Sequence, residues 1–201
     1  MAGDKTVAIG RPRAFDTEEA LDRALEVFWR KGYEGASVAD LTAAMGINPP
    51  SLYAAFGNKE GLFCRAIDRY EAKHAAFWEE ALSAPTAYKA LKRLLEGTAE
   101  SLGDKRNPPG CLMVQGALCA SDDCDSVKKD LDARRNASTA VIRDRLKRAK
   151  REGDLPQTAD PAGLAGFFAA VIHGMAVQAA GGASRKELER VADTALHAWP
   201  K

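Results

Sequence analysis

Apolar residues recur every three or four positions along almost the whole chain, the spacing of one helix face, and no stretch alternates apolar and polar residues as a half-buried strand would. Ala20, Leu21, Ala24, Leu25, Phe28 and Trp29 form the first stripe, opened by Asp16 or Thr17 as a cap and closed at Gly32. Val38, Leu41 and Met45 form a second, with Ser37 as cap and the acid Asp40 at the positive end of the helix dipole. Gly46 stops this helix, since only Gly takes positive φ cheaply, and Ile47 plugs the turn. Asn48 caps a third helix of about two turns whose first turn holds Pro49 and Pro50, where a missing N–H costs nothing. Leu52 and Phe56 face inward there, Ser51, Tyr53, Ala54 and Ala55 outward, and Gly57 ends it. Phe28 and Trp29 are expected to pack on Val38, Leu41, Leu52 and Phe56.

Longer helices follow. One runs over 58–82, with Leu62, Phe63, Ile67, Tyr70, Phe77 and Trp78; another over 86–102, with Tyr88, Leu91, Leu94 and Leu95. The Pro- and Gly-rich DKRNPPG is a loop, 111–120 a short buried helix, and 125–152 a long helix striped by Val127, Leu131, Ser138, Ile142, Leu146 and Ala149. The densely basic end of that helix reads as a solvated face whose cations suit a helix C-terminus, with a second nucleic-acid patch as the less favoured alternative. Between 162 and 180 only His173 and Gln178 are polar, long enough to cross a bilayer. The composition favours Ala and Gly over Leu and Ile, however, and Gly163, Gly166, Ala170 and Gly174 are spaced for close helix approach, so burial in a dimer interface is expected. A last helix, 185–199, carries Leu188, Val191, Ala192, Ala195, Leu196 and Trp199 on one stripe. The chain is thus predicted to be all-α, about nine helices, with a three-helix head over 1–57 and a larger body over 58–201.

Two short helices joined by a Gly-containing turn make a helix-turn-helix. The run 37–63 resembles the signature of TetR-type regulators: a small hydroxyl residue, an apolar helix, Gly46, Ile47, then SLYAAFGNKEGLF with Leu52, Tyr53, Phe56, Lys59, Glu60 and Leu62 in the family's places. The resemblance covers about the first third of the chain. It implies a homodimer whose second short helix enters the major groove, with Tyr53, Lys59 and Ser37 on the DNA backbone and a long fourth helix coupling ligand to DNA. It also implies a dimer seam built as a four-helix bundle from the last two helices of each copy, where the spacing of Gly163, Gly166, Ala170 and Gly174 and the stripe with Leu188, Val191, Ala195 and Trp199 would meet. The segment NPPGCLMVQGAL resembles one found in a subset of these regulators.

One departure stands out. The recognition helix has no Arg, Lys or Gln to fork onto a base, and Pro49 and Pro50 stand where the family often has a charged or polar residue. Asn48 and Ser51 remain to bond base edges, and Ala54 or a proline ring to touch a thymine methyl. Part of the specificity is expected from DNA shape and from a basic arm whose Arg11 and Arg13 reach the minor groove; a solvated terminus is an equally good reading of that arm.

The composition is that of an ordinary soluble globular protein, 28% charged and 46% apolar, and the net charge of +1 says nothing about nucleic acid. Residues 1–61 hold seven Lys and Arg against nine Asp and Glu, so phosphate contact must depend on placement: Lys5, Arg11 and Arg13 precede the first helix, where the acids gather. Cys64, Cys111, Cys119 and Cys124 show no metal-binding spacing, and no signal peptide is visible, which predicts a cytoplasmic chain with reduced thiols. His74, His173 and His197 lack a nucleophile at a recognisable spacing, and no nucleotide fingerprint occurs, so neither an enzyme nor a cofactor is expected.

The body carries side chains suited to an apolar pocket: Phe63, Tyr70, Trp78, Tyr88, Met113, Phe167, Phe168 and Met175, with His173, Gln115 and Gln178 as polar fixers. The resulting expectation is a repressor that binds a palindromic double-stranded DNA operator as a homodimer and is released by an apolar or aromatic small molecule. A thiol sensor using Cys111, Cys119 or Cys124 is a rival, weakened because Cys124 sits among Asp122, Asp123 and Asp125, a field that makes a poor nucleophile. A membrane-associated or adaptor protein using the 162–180 helix is the alternative from another class.

Overall fold

The computed structural model describes residues 15–116 and 124–200. Among these lie α1 (Thr17–Gly35), α2 (Val38–Met45), α3 (Pro49–Phe56), α4 (Lys59–Leu82), α5 (Ala87–Gly103), α6 (Leu112–Gln115), α7 (Asp125–Glu152), α8 (Pro161–Ala180) and α9 (Arg185–Leu196), and no strand. Arg11, Arg13, Cys119 and residues 117–120 of the expected short helix lie outside the described residues.

Local chemistry sets the helix ends of the head. Asp16 accepts from the N–H groups of Glu18 and Glu19, at 2.8 and 3.2 Å. Ser37 and Asp40 form a reciprocal capping box, Asp40 N–H lying 3.0 Å from Ser37 Oγ and Ser37 N–H 3.1 Å from Asp40 Oδ2. Gly32 interrupts α1 at φ 71°, and the helix resumes for a last turn. Gly46 is left-handed at φ 69°, which turns the N–H groups of Gly46 and Ile47 back onto the carbonyls of Ala43 and Thr42.

Two apolar clusters organise the molecule. The head cluster joins α1, α2 and α3 to Leu62, Phe63, Ala66, Ile67 and Tyr70 of α4, and also takes in Leu112, Val127 and Leu131. Two eight-residue helices and α1 cannot enclose a core by themselves, so the first turns of α4 close it. Packing therefore runs across the 57/58 division drawn from sequence. Ion pairs repeat the join: Arg69 reaches Glu18 and Asp22, both at 2.8 Å, and Lys73 reaches Asp22 at 2.7 Å.

The body cluster is built from the end of α4 with α5, α7, α8 and α9. Arg145 is buried here and donates to the carbonyls of Leu82 and Ala84, at 3.1 and 3.0 Å, satisfying free acceptors where α4 ends. Of Leu188, Val191, Ala195 and Trp199, read from sequence as dimer residues, Leu188 and Ala195 are buried in this core, and Val191 and Trp199 pack against the cluster while staying partly exposed. An amphipathic stripe shows that a face is covered without saying by which chain, and α9 lies along α5 of its own copy. On α8 the inward side chains are Ala165, Phe168, Ala169, Met175, Ala176 and Ala179. Gly163, Gly166, Phe167, Ala170 and Val177 are exposed, and an added Cβ at Gly166 or Gly174 would meet open space.

Candidate nucleic-acid interface and body cavity

The recognition helix α3 buries Leu52 and Phe56 and leaves Asn48, Pro49, Pro50, Tyr53 and Ala54 exposed. Asn48 Oδ1 accepts the Ser51 N–H at 2.9 Å, so its amide nitrogen is the part left to a partner. Tyr53 is 48% exposed and its hydroxyl makes no hydrogen bond among the described residues. Lys59, at the first position of α4, has its ammonium 4.4 Å from the centroid of the Tyr33 ring, a cation–π shelf for a charge that pairs with no carboxylate among the described residues. Tyr33 was not singled out from sequence, and no short-range spacing signals it. Ser37 is differently placed: its hydroxyl donates to Asp40 Oδ2 at 2.7 Å, so its proton is engaged inside the capping box. Lys31 lies 2.7 Å from Asp40 and, with Ser37, lowers the pKa of that carboxyl to about 2, well below the usual carboxylate range.

A cavity of about 670 Å³ opens in the body between α4, α5, α6, α7 and α8. Of the side chains named from sequence, Tyr70, Trp78, Met113 and His173 line it. The others lie elsewhere. Phe63 is edge-on to Phe28 at 4.9 Å in the head core, and Phe168 is fully buried among body helices. Tyr88 and Phe167 are 40% and 41% exposed on the outside, Tyr88 against Trp199, and Gln115 donates to the Pro109 carbonyl at 2.9 Å. His74, Phe77, Cys111, Arg134 and Arg135 join the wall, although sequence periodicity had not singled them out for it.

The arginines of that wall are already matched by the protein, while the Glu79 carboxylate has no ion pair among the described residues. Arg134 bonds Asp68 and Asp130, each at 2.8 Å, and also Glu71, which together outweigh the burial that opposes its charge. Arg135 donates to the Met113 carbonyl at 2.5 Å and pairs with Asp132. His173 makes no hydrogen bond among the described residues, and burial, helped by the Arg135 charge, lowers its pKa below the ordinary 6.5. The cavity thus offers an uncharged imidazole beside aromatic and thioether surface, chemistry suited to an apolar molecule with one hydrogen-bonding group.

Tyr70 connects cavity to head. Its ring stands edge-on to Trp29 of α1 at 4.8 Å, and its hydroxyl donates to Cys111 Sγ at 3.3 Å. Burial, then the neighbouring Cys111, pushes the phenol well above its ordinary value, so it stays a donor. Trp29 in turn donates to the Gly110 carbonyl at 3.0 Å. Sequence reading kept Trp29 inside the head; its indole reaches past that core to the loop before α6. Cys64 is half-buried with its thiol pushed up by burial, and Cys124 is buried with Sγ 3.6 Å from Glu34.

The comparisons with known proteins agree with this geometry. A family model described as bacterial regulatory proteins, tetR family, matches residues 20–66, and one described as tetracyclin repressor-like, C-terminal domain, matches residues 87–195. Over 211 residues the chain is 37% identical to the HTH-type transcriptional repressor ComR of Escherichia coli strain K12, covering 100% of this chain and 99% of that protein. Among solved structures it is similar to a cysteine mutant of the TetR family transcriptional regulator CifR complexed with 26-base-pair operator DNA: 44% identity, TM-score 0.92, 95% of this chain and 100% of that one. A TetR regulator from Rhodococcus sp. RHA1 is 41% identical with a TM-score of 0.63, over 92% of this chain and 100% of that one. Head, body and their order are all accounted for by these matches, and the chain belongs to the TetR family of DNA-binding transcriptional regulators.

Proposed function

We propose that the chain is a homodimeric repressor that holds a palindromic operator with its head, residues 1–57, and is released when an apolar or aromatic small molecule enters the cavity of its body, residues 58–201. The observation that carries this reading is Tyr70, which lines the cavity and also touches Trp29 of the head. A molecule that displaces Tyr70 must disturb the seat of α1 and, through it, the spacing of the two recognition helices. By linkage, operator DNA then weakens effector binding by the factor by which effector weakens DNA binding. The repressor ComR and the operator-bound CifR support the direction of control. The apolar outer face of α8 is the seam for the second copy. This helix is long and apolar enough to cross a membrane, and 33% of its apolar stretch is buried within its own chain. Covering that face with a second copy, in the cytoplasm, gives the exposed glycines a role in close helix approach.

The test is a mobility-shift titration against DNA upstream of the chain's own gene at two salt concentrations, beside Tyr53→Ala. A discrete shift that weakens steeply with salt, and weakens uniformly across sequences on substitution, supports a phosphate-anchored reader. A genome-wide fragment selection that enriches nothing overturns the operator reading. Control through a thiol has one observation in its favour, Cys111 in the cavity wall. Peroxide treatment that leaves operator affinity unchanged removes that second reading.

A further inference from the structure

Positions 49–52, the first turn of α3, present no free backbone N–H. A helix ordinarily begins with four free N–H groups, which is why helix N-termini hold phosphates. Here the first two positions are Pro49 and Pro50, which have no N–H. The next N–H, of Ser51, is taken by Asn48 Oδ1 at 2.9 Å and the Asn48 carbonyl at 3.1 Å, and that of Leu52 by the same carbonyl at 3.2 Å. Of the donors a helix start usually leaves free, only the N–H of the cap residue Asn48 is without a partner among the described residues. The helix also has no charged residue, and its outward stripe, at spacings of three and four, is Pro50, Tyr53, Ala54 and then Gly57, all exposed, with Pro49 exposed beside it.

A surface of this kind has a narrow choice of partners on a base edge. In the major groove the edges of guanine, adenine and cytosine present donors and acceptors, and the one apolar feature is the C5-methyl of thymine. Pressing two proline rings onto unpaired donors or acceptors would desolvate them without replacing their hydrogen bonds, which disfavours other bases as firmly as the methyl favours thymine. We infer that α3 reads its operator mainly through thymine methyl groups, held by Pro49 and Pro50 at the tip and Ala54 one turn on. The Asn48 amide nitrogen and the Ser51 hydroxyl supply the few direct hydrogen bonds. Tyr53 and Lys59 position the helix on the backbone and carry no sequence preference.

The inference rests on the DNA-binding reading, and its test separates the two. The full-length protein is used to select an operator from a random-sequence duplex pool, and each thymine of one half-site is then replaced by deoxyuridine. That change removes only the methyl and leaves pairing and hydrogen-bonding edges intact. Two or three thymines under α3 should each lose roughly fourfold in affinity, the worth of one buried methyl-sized group. In Pro49→Ala/Pro50→Ala, which keeps the helix and its Asn48 cap, thymine and uracil operators should bind within twofold of each other at the positions under the tip. An operator indifferent to uracil throughout the half-site overturns this inference alone, as does a uracil penalty undiminished in the double variant. A pool from which nothing is enriched overturns the DNA-binding reading with it.

Discussion

The indole N–H of Trp29 donates to the carbonyl of Gly110 at 3.0 Å, across 81 positions of sequence. It is a buried bond between the first helix of the head and the loop that leads into the cavity wall, and Tyr70 packs edge-on against the same indole. Head and body therefore meet through a polar bond with one geometry, in addition to α4.

Trp29→Phe keeps the aromatic packing and removes the donor, leaving the Gly110 carbonyl buried without its partner. Stability in urea should fall by about 1–3 kcal/mol, the cost of an unsatisfied buried polar group. An unchanged midpoint would show that water takes over the carbonyl.

The α8 seam and the α9 core can be told apart by charge. Val177→Asp, at a position 55% exposed, should leave helix content intact and turn the dimer into a monomer in sedimentation. Ala195→Asp, at a position 6% exposed, should instead unfold the protomer, because it buries an unpaired carboxylate in the core. A folded Ala195→Asp monomer would return α9 to the interface.

Ser37 and Lys59 should separate cleanly between folding and DNA binding. Ser37→Ala removes the capping-box oxygen and should cost about 1 kcal/mol in thermal stability. Lys59→Ala touches no cap; it should leave stability almost unchanged and lower the slope of log affinity against log salt by about one. A Lys59→Ala variant with the parent slope places that ammonium away from phosphate.

Acid should weaken the fold in two windows. His173 is held neutral by burial and Arg135, so below 6.5 the unfolded chain takes up a proton that the folded one refuses. Stability contributed there is full above 6.5 and lost as pH falls toward the depressed value. His173→Gln should flatten this limb of a denaturation-against-pH curve. Asp22, held at about 2 chiefly by its hydrogen bond from Arg69, with Lys73 adding to it, contributes stability that is full above 3.8 and lost as pH falls through about 2. Its side chain is 37% exposed and solvent screens the pair, so Asp22→Asn should change that lower limb modestly.

Much of the head was legible because its determinants are local. A cap and its acceptor lie three residues apart, a proline specifies its own φ, and Gly46 takes a left-handed turn whose need is set by the next two residues. Those relations survive in any tertiary setting, so Ser37, Gly46, Asn48 and the inward pair Leu52 and Phe56 could be read directly. Helical periodicity likewise delivered α4, α5, α7, α8 and α9. It also marked which face of each is apolar, without identifying what covers that face. Only packing decided that Phe63 belongs to the head, that Phe168 sits behind the cavity and Tyr88 outside it, and that α9 buries Leu188 and Ala195 within its own chain while α8 keeps Phe167 and Val177 exposed. The Trp29 to Gly110 bond and the matched charges around Arg134 were beyond sequence for the same reason: each joins residues far apart in the chain, and their meeting depends on how whole helices stack.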